Sequence, residues 1–190
     1  MKMLLISALA LAPALAFAAG GHDSVGCTGC HSLHAAKGDM IFAVGPNTKM
    51  VDPKTQQAYT GTTALCLACH ADAKDGGQGY APVSRHGSHP FGMATVNPKV
   101  ARVPAELLRE GGRFECLGCH DPHPSNPNYK YLRADAGKKG EKMDAFCGIC
   151  HGAKADAAAE RITLFDSMDE TKLRVAAPAK PAAAEKSAKK

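Results

Sequence analysis

Cys116-Leu117-Gly118-Cys119-His120 decides how this chain is read, because its form recurs three more times. The other copies are Cys27-Thr28-Gly29-Cys30-His31, Cys66-Leu67-Ala68-Cys69-His70 and Cys147-Gly148-Ile149-Cys150-His151, and the four together use all 8 cysteines. The spacing suits covalent attachment of c-type haem. Each pair of thiols adds across the two vinyl groups of one porphyrin, and the adjoining His presents an imidazole to the iron from the same face. The motifs therefore predict four covalently attached haems c, held through Cys27, Cys30, Cys66, Cys69, Cys116, Cys119, Cys147 and Cys150. The proximal iron ligands are His31, His70, His120 and His151. A structural zinc reading takes four protein ligands per ion and leaves unexplained why a His follows every second Cys. A thioredoxin-like pair would occur once, near a βαβ pattern, and a disulfide framework needs no adjacent His.

Outward from the motifs, the chain is thin cover for its cofactors. Successive motifs begin at residues 27, 66, 116 and 147, in a chain of 190 residues with no Trp, 4 Tyr, 6 Phe, 19 Gly and 12 Pro. Such a scaffold cannot build a large side-chain core, so covalent and metal staples must replace it. The predicted fold is mostly irregular with short α-helices and little β structure, wrapped around four haems. Locally, Pro104 to Arg109 reads as a short helix stopped by Gly111-Gly112. Asp144 is placed to cap a helix carrying the fourth motif, and Ala153 to Phe165 is rich in helix formers. Val51 to Tyr59, with Asp52-Pro53, reads as a turn or small hairpin. Gly45-Pro46-Asn47 and Pro122 to Asn128 read as loops. A pseudo-repeat is suggested by motifs one and three, each of which carries a second His three places on.

Five histidines remain for four sixth coordination positions: His22, His34, His86, His89 and His123. Nearly all lie beside motifs, which weakens the default view of them as surface residues. A His three residues beyond a haem ligand cannot easily reach the opposite face of the same iron, but it can reach a neighbouring one. Met40, Met50, Met93, Met143 and Met168 read mainly as gap-filling or surface residues, with Met93 the best placed of them to be axial. His22-Asp23, Cys30-His31-Ser32-Leu33-His34, Ser88-His89-Pro90-Phe91-Gly92, Cys116 to His123 and Tyr131-Leu132-Arg133 resemble the multihaem c-type cytochromes with doubled Cys-x-x-Cys-His motifs. The resemblance spans roughly His22 to His151. It implies His22, His34, His89 and His123 as distal ligands, leaving His86 over. Ser32-Leu33 stands where that family commonly has Thr-Pro. Some tetrahaem relatives form extracellular filaments in which a neighbouring copy donates one distal His, and His22 is the candidate donor here.

The ends speak to location. Met1 to Ala18 has the charged, apolar and small-residue layout of a secretory signal peptide, with Ala16-Phe17-Ala18 as the cleavage sequence. Its apolar run is too short for a membrane span. Residues 19–174 are expected to form the tetrahaem domain. Residues 175–190, rich in Ala, Pro and Lys, are expected to be a disordered tail, and Lys180, Lys186, Lys189 and Lys190 offer a tether for an acidic partner. The protein is expected to be secreted, into the periplasm or to the cell surface and beyond. The formal charge of +5 misleads, because eight haem propionates and four ferric cores bring the processed, oxidised protein to about zero and the reduced one to about −4. Nothing in this balance calls for nucleic acid.

With two imidazoles on every iron there is no vacant position for a substrate. The expected role is single-electron transfer between redox partner proteins, not catalysis. Assembly with copies of itself into a conductive filament, or nanowire, is the alternative within that class. A small haem reductase is the reading from another class. It requires one open iron position, with Arg85 binding an anion and His86 donating protons, against the plainer roles of propionate pairing and a spare ligand.

Overall fold

Two cysteines three residues apart lie on one side of a single helical turn, and each motif is built on such a turn. In the computed structural model, which describes residues 21–37, 40–85, 89–152, 163–167 and 174–175, the turns begin in four short helices, the fourth motif running on past its helix through Ile149 and Cys150. The helices are α1 (Gly26–Cys30), α2 (Gly61–His70), α3 (Cys116–Cys119) and α4 (Met143–Gly148). The chain leaves the helix at the motif His in α1 and α3, where His31 and His120 have extended φ values of −118° and −114°. α2 runs through its His70 before breaking at Ala71.

Little else is regular. Strands β1 (Thr163–Leu164) and β2 (Arg174–Val175) pair antiparallel over two residues each, and the other described residues form turns, isolated bridges, 3-10 segments and irregular chain. This is the mostly irregular, helix-poor architecture that the composition demands. Val51 and Ala58 do bridge as a small hairpin, its turn held by the Asp52 carboxylate accepting from Lys54 N–H at 2.7 Å. The segments at Gly45 to Asn47 and Pro122 to Asn128 are irregular, without helix or strand.

Three local expectations need correction. Pro104 to Arg109 makes only the 3-10 turn Ala105–Leu107. The chain then turns back so that Arg109 bridges Arg113, with Gly111 and Gly112 at φ +74° and +76° between them. Pro104 and Leu108 are extended, with ψ 144° and 147°, and Arg109 N–H donates to the Arg113 carbonyl at 2.8 Å, so the hairpin takes the backbone groups that would continue a helix. Asp144 lies inside the first turn of α4 rather than at its cap, which is Lys142, and no side-chain cap bond forms. There its charge still complements the helix dipole. Thr163 and Leu164, at the end of the run rich in helix formers, are extended in β1. Phe165 follows them without helix or strand, and residues 153–162 of that run lie outside the described residues, as do residues 1–20, His86 and nearly all of the tail.

The side-chain core is correspondingly small. One cluster joins Tyr59, Leu67 and Ala71, with Met50, Val83 and Phe91 against it. The other joins Leu107, Ala134 and Leu164, with Val103, Phe146, Ile149 and Cys150 alongside. Around the first motif, Val25, Leu33, Met40 and Ile41 are all exposed, Leu33 by 78%. Exposed apolar surface gathered on a motif is what a bound apolar group would cover.

Buried amides brace the loops. Asn47 donates to the Leu67 and Asp75 carbonyls and accepts from the Lys49 and Met50 N–H groups. Asn126 does the same between Asp121, Leu132 and Asn128. Between α2 and α3, the buried Glu115 carboxylate takes Arg113 at 2.7 Å and Thr62 N–H at 2.8 Å. No helix among the described residues is long and apolar enough to cross a membrane.

Candidate metal centres

None of the eight cysteines is paired in a disulfide. Burial, followed by the nearby Cys150 and Cys116, pushes the Cys119 thiol up to about 12. Burial also raises Cys30, Cys69 and Cys150. Cys66 is raised by its hydrogen bond with Cys116, which is itself lowered by the same bond. The partners in these effects put consecutive motifs side by side: Cys69 near Cys30, Cys66 against Cys116, and Cys119 near Cys150.

Each motif is gripped in the same way. The carbonyl of its second cysteine accepts a backbone N–H from further along or back in the chain: Ala43 to Cys30, Tyr80 to Cys69, Arg133 to Cys119 and Arg102 to Cys150. The motif imidazole then donates Nδ1–H to a carbonyl nearby. His31 reaches Met40 at 3.0 Å, His70 reaches Tyr80 at 2.7 Å, His120 reaches Lys130 at 3.0 Å and His151 reaches Val100 at 3.1 Å. With Nδ1 carrying the proton, Nε2 is the nitrogen left to meet a metal.

In motifs one and three the accepting carbonyl belongs to a strained pair. Met40 and Ile41 have φ +57° and +52°, and Lys130 and Tyr131 have +51° and +57°. Such values are unfavourable for any side chain and worst for a β-branched one. The pseudo-repeat is thus present in the backbone as well as in the His-x-x-His spacing.

Three of the remaining histidines face motif histidines. His22 Nε2 lies 3.4 Å from His70 Nε2, with ring centres 5.7 Å apart. His123 and His31 have parallel rings, 4° apart in tilt, with centres separated by 6.4 Å. His89 and His151 are near perpendicular at 78°, with centres 6.5 Å apart. An imidazole nitrogen sits about 2 Å from a bound metal ion, so two imidazoles sharing one ion hold their ring centres about 6 Å apart. The donor spacing therefore fits one iron between each pair, the first pair needing a few tenths of an ångström of opening. His34 is exposed in the bend after the first motif. Met93 pairs backbone to backbone with Phe114, and Arg85 is exposed at the end of a 3-10 turn. Among the described residues, no three His, Cys, Asp or Glu side chains gather as a protein-only metal site.

The facing histidines are anchored by residues that the motifs do not reveal. His22 stacks on Tyr131 at 5.1 Å and 19°. Its backbone N–H donates to the Tyr131 hydroxyl at 3.1 Å, and that hydroxyl donates to Asp23 at 3.0 Å. His22 Nδ1 donates to the Pro122 carbonyl. His123 Nδ1 lies 2.7 Å from the Asp121 carboxylate and 2.7 Å from Ser167 Oγ. Burial pushes the Asp121 carboxyl up, but hydrogen bonds from Ser167 and His123 outweigh it and hold it below its ordinary 3.8. Asp121 was visible in the sequence beside His120. Ser167, 44 residues beyond His123, had no local signal.

No curated protein and no solved structure matches the chain. Residues 108–156, which hold the third and fourth motifs together with His123, match the family model of the doubled CXXCH motif. With four such sequences on four helical turns, that match supports reading the chain as a c-type cytochrome carrying covalently bound haem c.

Proposed function

We propose that this chain is a secreted tetrahaem electron carrier whose irons each lie between two imidazoles. The single observation that carries this reading is the set of three facing imidazole pairs, each containing a motif histidine, at the spacing one metal ion requires. In this reading His70 is served by His22, His31 by His123 and His151 by His89. By elimination the sixth position at the iron of His120 goes to His34, the remaining member of the distal set that the family resemblance implies, which leaves His86 over.

Bound haem supplies a one-electron iron couple. The chain's own residues do the rest. The backbone carbonyls fix each motif imidazole in the tautomer that presents Nε2. The facing histidines fill the opposite position and so deny it to oxygen or other small ligands. Side-by-side placement of consecutive motifs keeps neighbouring cofactors close enough for electrons to pass among them. Export into the periplasm or beyond is part of the proposal, supported by the N-terminal pattern and by the attachment of bacterial c-type haem outside the cytoplasm.

The test is direct. A pyridine haemochrome assay of the purified protein should return four covalent haems per chain. Ferric spectra should be wholly low-spin, and the reduced protein should bind carbon monoxide only slowly. Fewer haems would overturn the count, and a high-spin ferric signal with rapid carbon monoxide binding would favour a reductase.

A further inference from the structure

Seven of the described imidazoles have a defined Nδ1 partner, and six of them donate to backbone carbonyls: His22, His31, His70, His89, His120 and His151. The seventh, His123, meets a carboxylate and, also at 2.7 Å, the Ser167 hydroxyl. Asp121 Oδ1 lies 2.7 Å from its Nδ1, and the Asp121 side chain is only 10% exposed. The carboxylate is itself fixed in place. It accepts the Ser167 backbone N–H at 2.8 Å, the residue's own neighbour His123 N–H at 3.3 Å, and lies in contact with the Ser167 hydroxyl.

We propose that Asp121 is a positioning residue that tunes one iron of the four, drawing on the His123 Nδ1 proton so that the His31–His123 site favours the oxidised state. The inference rests on the reading that these two imidazoles share an iron. A carboxylate acceptor pulls the N–H proton further than a carbonyl does, so the ring becomes a stronger electron donor to its metal. The fixed negative charge, shielded from water, adds to the same preference, because the ferric state carries one more positive charge than the ferrous one. The couple is one electron onto the ferric site, with both imidazoles retained and no bond made or broken. Ser167 works against the effect, because its hydroxyl and N–H spread the carboxylate's charge over other donors. Asp121 thereby makes the His31–His123 site harder to reduce than it would be with a neutral acceptor in its place.

The test is a mediated potentiometric titration of the haem-loaded full chain, followed by electron paramagnetic resonance. The ring geometry supplies an assignment: parallel imidazoles, as at His31 and His123, give a rhombic ferric signal, whereas near-perpendicular ones, as at His89 and His151, give a large-g signal. Asp121→Asn keeps an oxygen acceptor for His123 and removes the charge, and it also gives up the Ser167 N–H bond, because an amide NH2 then stands where Oδ2 accepted it. It should raise the midpoint of the rhombic site by about tenfold in the one-electron equilibrium, or about 59 mV, with the large-g site unmoved. Asp121→Glu should restore most of the shift. Ser167→Ala should move the same site the other way, by about threefold to tenfold because the lost hydroxyl bond is to a charged carboxylate and water replaces part of it, and it provides the answer if the Asn variant fails to assemble. Four low-spin haems with an unshifted rhombic site in both Asp121→Asn and Ser167→Ala would overturn the inference, as would an equal shift at all sites. Missing haem or a high-spin signal in the unmodified protein would instead overturn the proposed function beneath it.

Discussion

Replacing Tyr131 with Phe should loosen the arm that carries His22 while leaving His22 itself intact. The phenol makes two bonds to that arm, accepting from His22 N–H at 3.1 Å and donating to Asp23 at 3.0 Å. A neutral hydrogen bond contributes about 0.5–1.5 kcal/mol and one to a charged group about 1.5–3 kcal/mol. Tyr131 is half-buried, so water recovers part of each, and about 2 kcal/mol is a fair net loss. At 1.4 kcal/mol per tenfold, the detached state of the arm becomes roughly 30-fold more populated. The ring stack at 5.1 Å survives in Phe. Tyr131→Leu removes it too, for a further loss of about 0.5–1.5 kcal/mol. Carbon monoxide binding to the reduced, loaded protein reads the change, since ligand enters only when His22 leaves. One phase, of one-haem amplitude, should accelerate roughly 30-fold in Tyr131→Phe and further in Tyr131→Leu. Rates equal to those of the unmodified protein in both variants would refute the reasoning, because the arm would then be held by something other than Tyr131.

Two further outcomes follow from packing and charge. Gly118→Ala should lower the thermal midpoint by an amount corresponding to about 1–3 kcal/mol, because the added methyl runs into the Leu107 carbonyl oxygen and meets the Phe114 ring at 3.3 Å. Gly29→Ala, at the same position of the first motif, meets only the exposed Val25 side chain and should be near neutral in the same melt. The Asp135 carboxyl is held below its ordinary 3.8 by the Gly137 N–H and by Lys142 at 3.0 Å. A depressed folded value means that this contribution is intact above pH 3.8 and is lost as pH falls through the lower folded value. Hydrogen exchange at the Gly137 amide should therefore be unchanged between pH 7 and 5, after correction for intrinsic rates, and lose protection only in stronger acid. Loss already at pH 5 would contradict the hydrogen-bonding pattern.

How far the sequence reached depends on how local each interaction is. Cys-x-x-Cys-His occupies one helical turn, so its chemistry and its geometry are both written in five adjacent residues. The scarcity of aromatic residues limited the core before any contact was known, and the apolar clusters among the described residues are small. The expectation that a His three places past a motif reaches another site accords with His123 facing His31. The pairing of His22 with His70, 48 residues apart, was out of reach. So was the seating of Asp121 by Ser167, 46 residues on. The carbonyls that hold the motif imidazoles carry no residue signature, since any amino acid offers one. The local misreadings have the same root. Asp144 has the right chemistry for a cap, yet the helix begins two residues earlier than that reading requires, with Lys142 at the cap. Pro104 and the two glycines punctuate a turn and a hairpin as well as they would a helix.

The strained residues show what the polypeptide is built to hold. Met40, Ile41, Lys130 and Tyr131 all sit at positive φ, and each such placement costs about 1–3 kcal/mol unless the surroundings enforce it. Two small apolar clusters cannot enforce strain at both motifs while also offsetting the chain entropy of so many irregular residues. The two pairs have a common outcome, however, for in each the first carbonyl receives the proton of a motif imidazole. Turning that carbonyl toward the ring fixes the ring's tautomer and plane, which matters only if a metal is to be met from the other nitrogen. The energy that holds these turns must then come chiefly from the bonds to the cofactor and from the apolar surface it covers around Val25, Leu33, Met40 and Ile41. A chain with its cysteines replaced should accordingly lose both turns together, as seen in the amide exchange of Ser32 and Asp121, whose N–H groups bond to the Ile41 and Tyr131 carbonyls at 2.8 Å. Retention of those two protected amides without attached haem would mean that the side chains alone can bear the strain, and the cofactor would lose its place as the organising core.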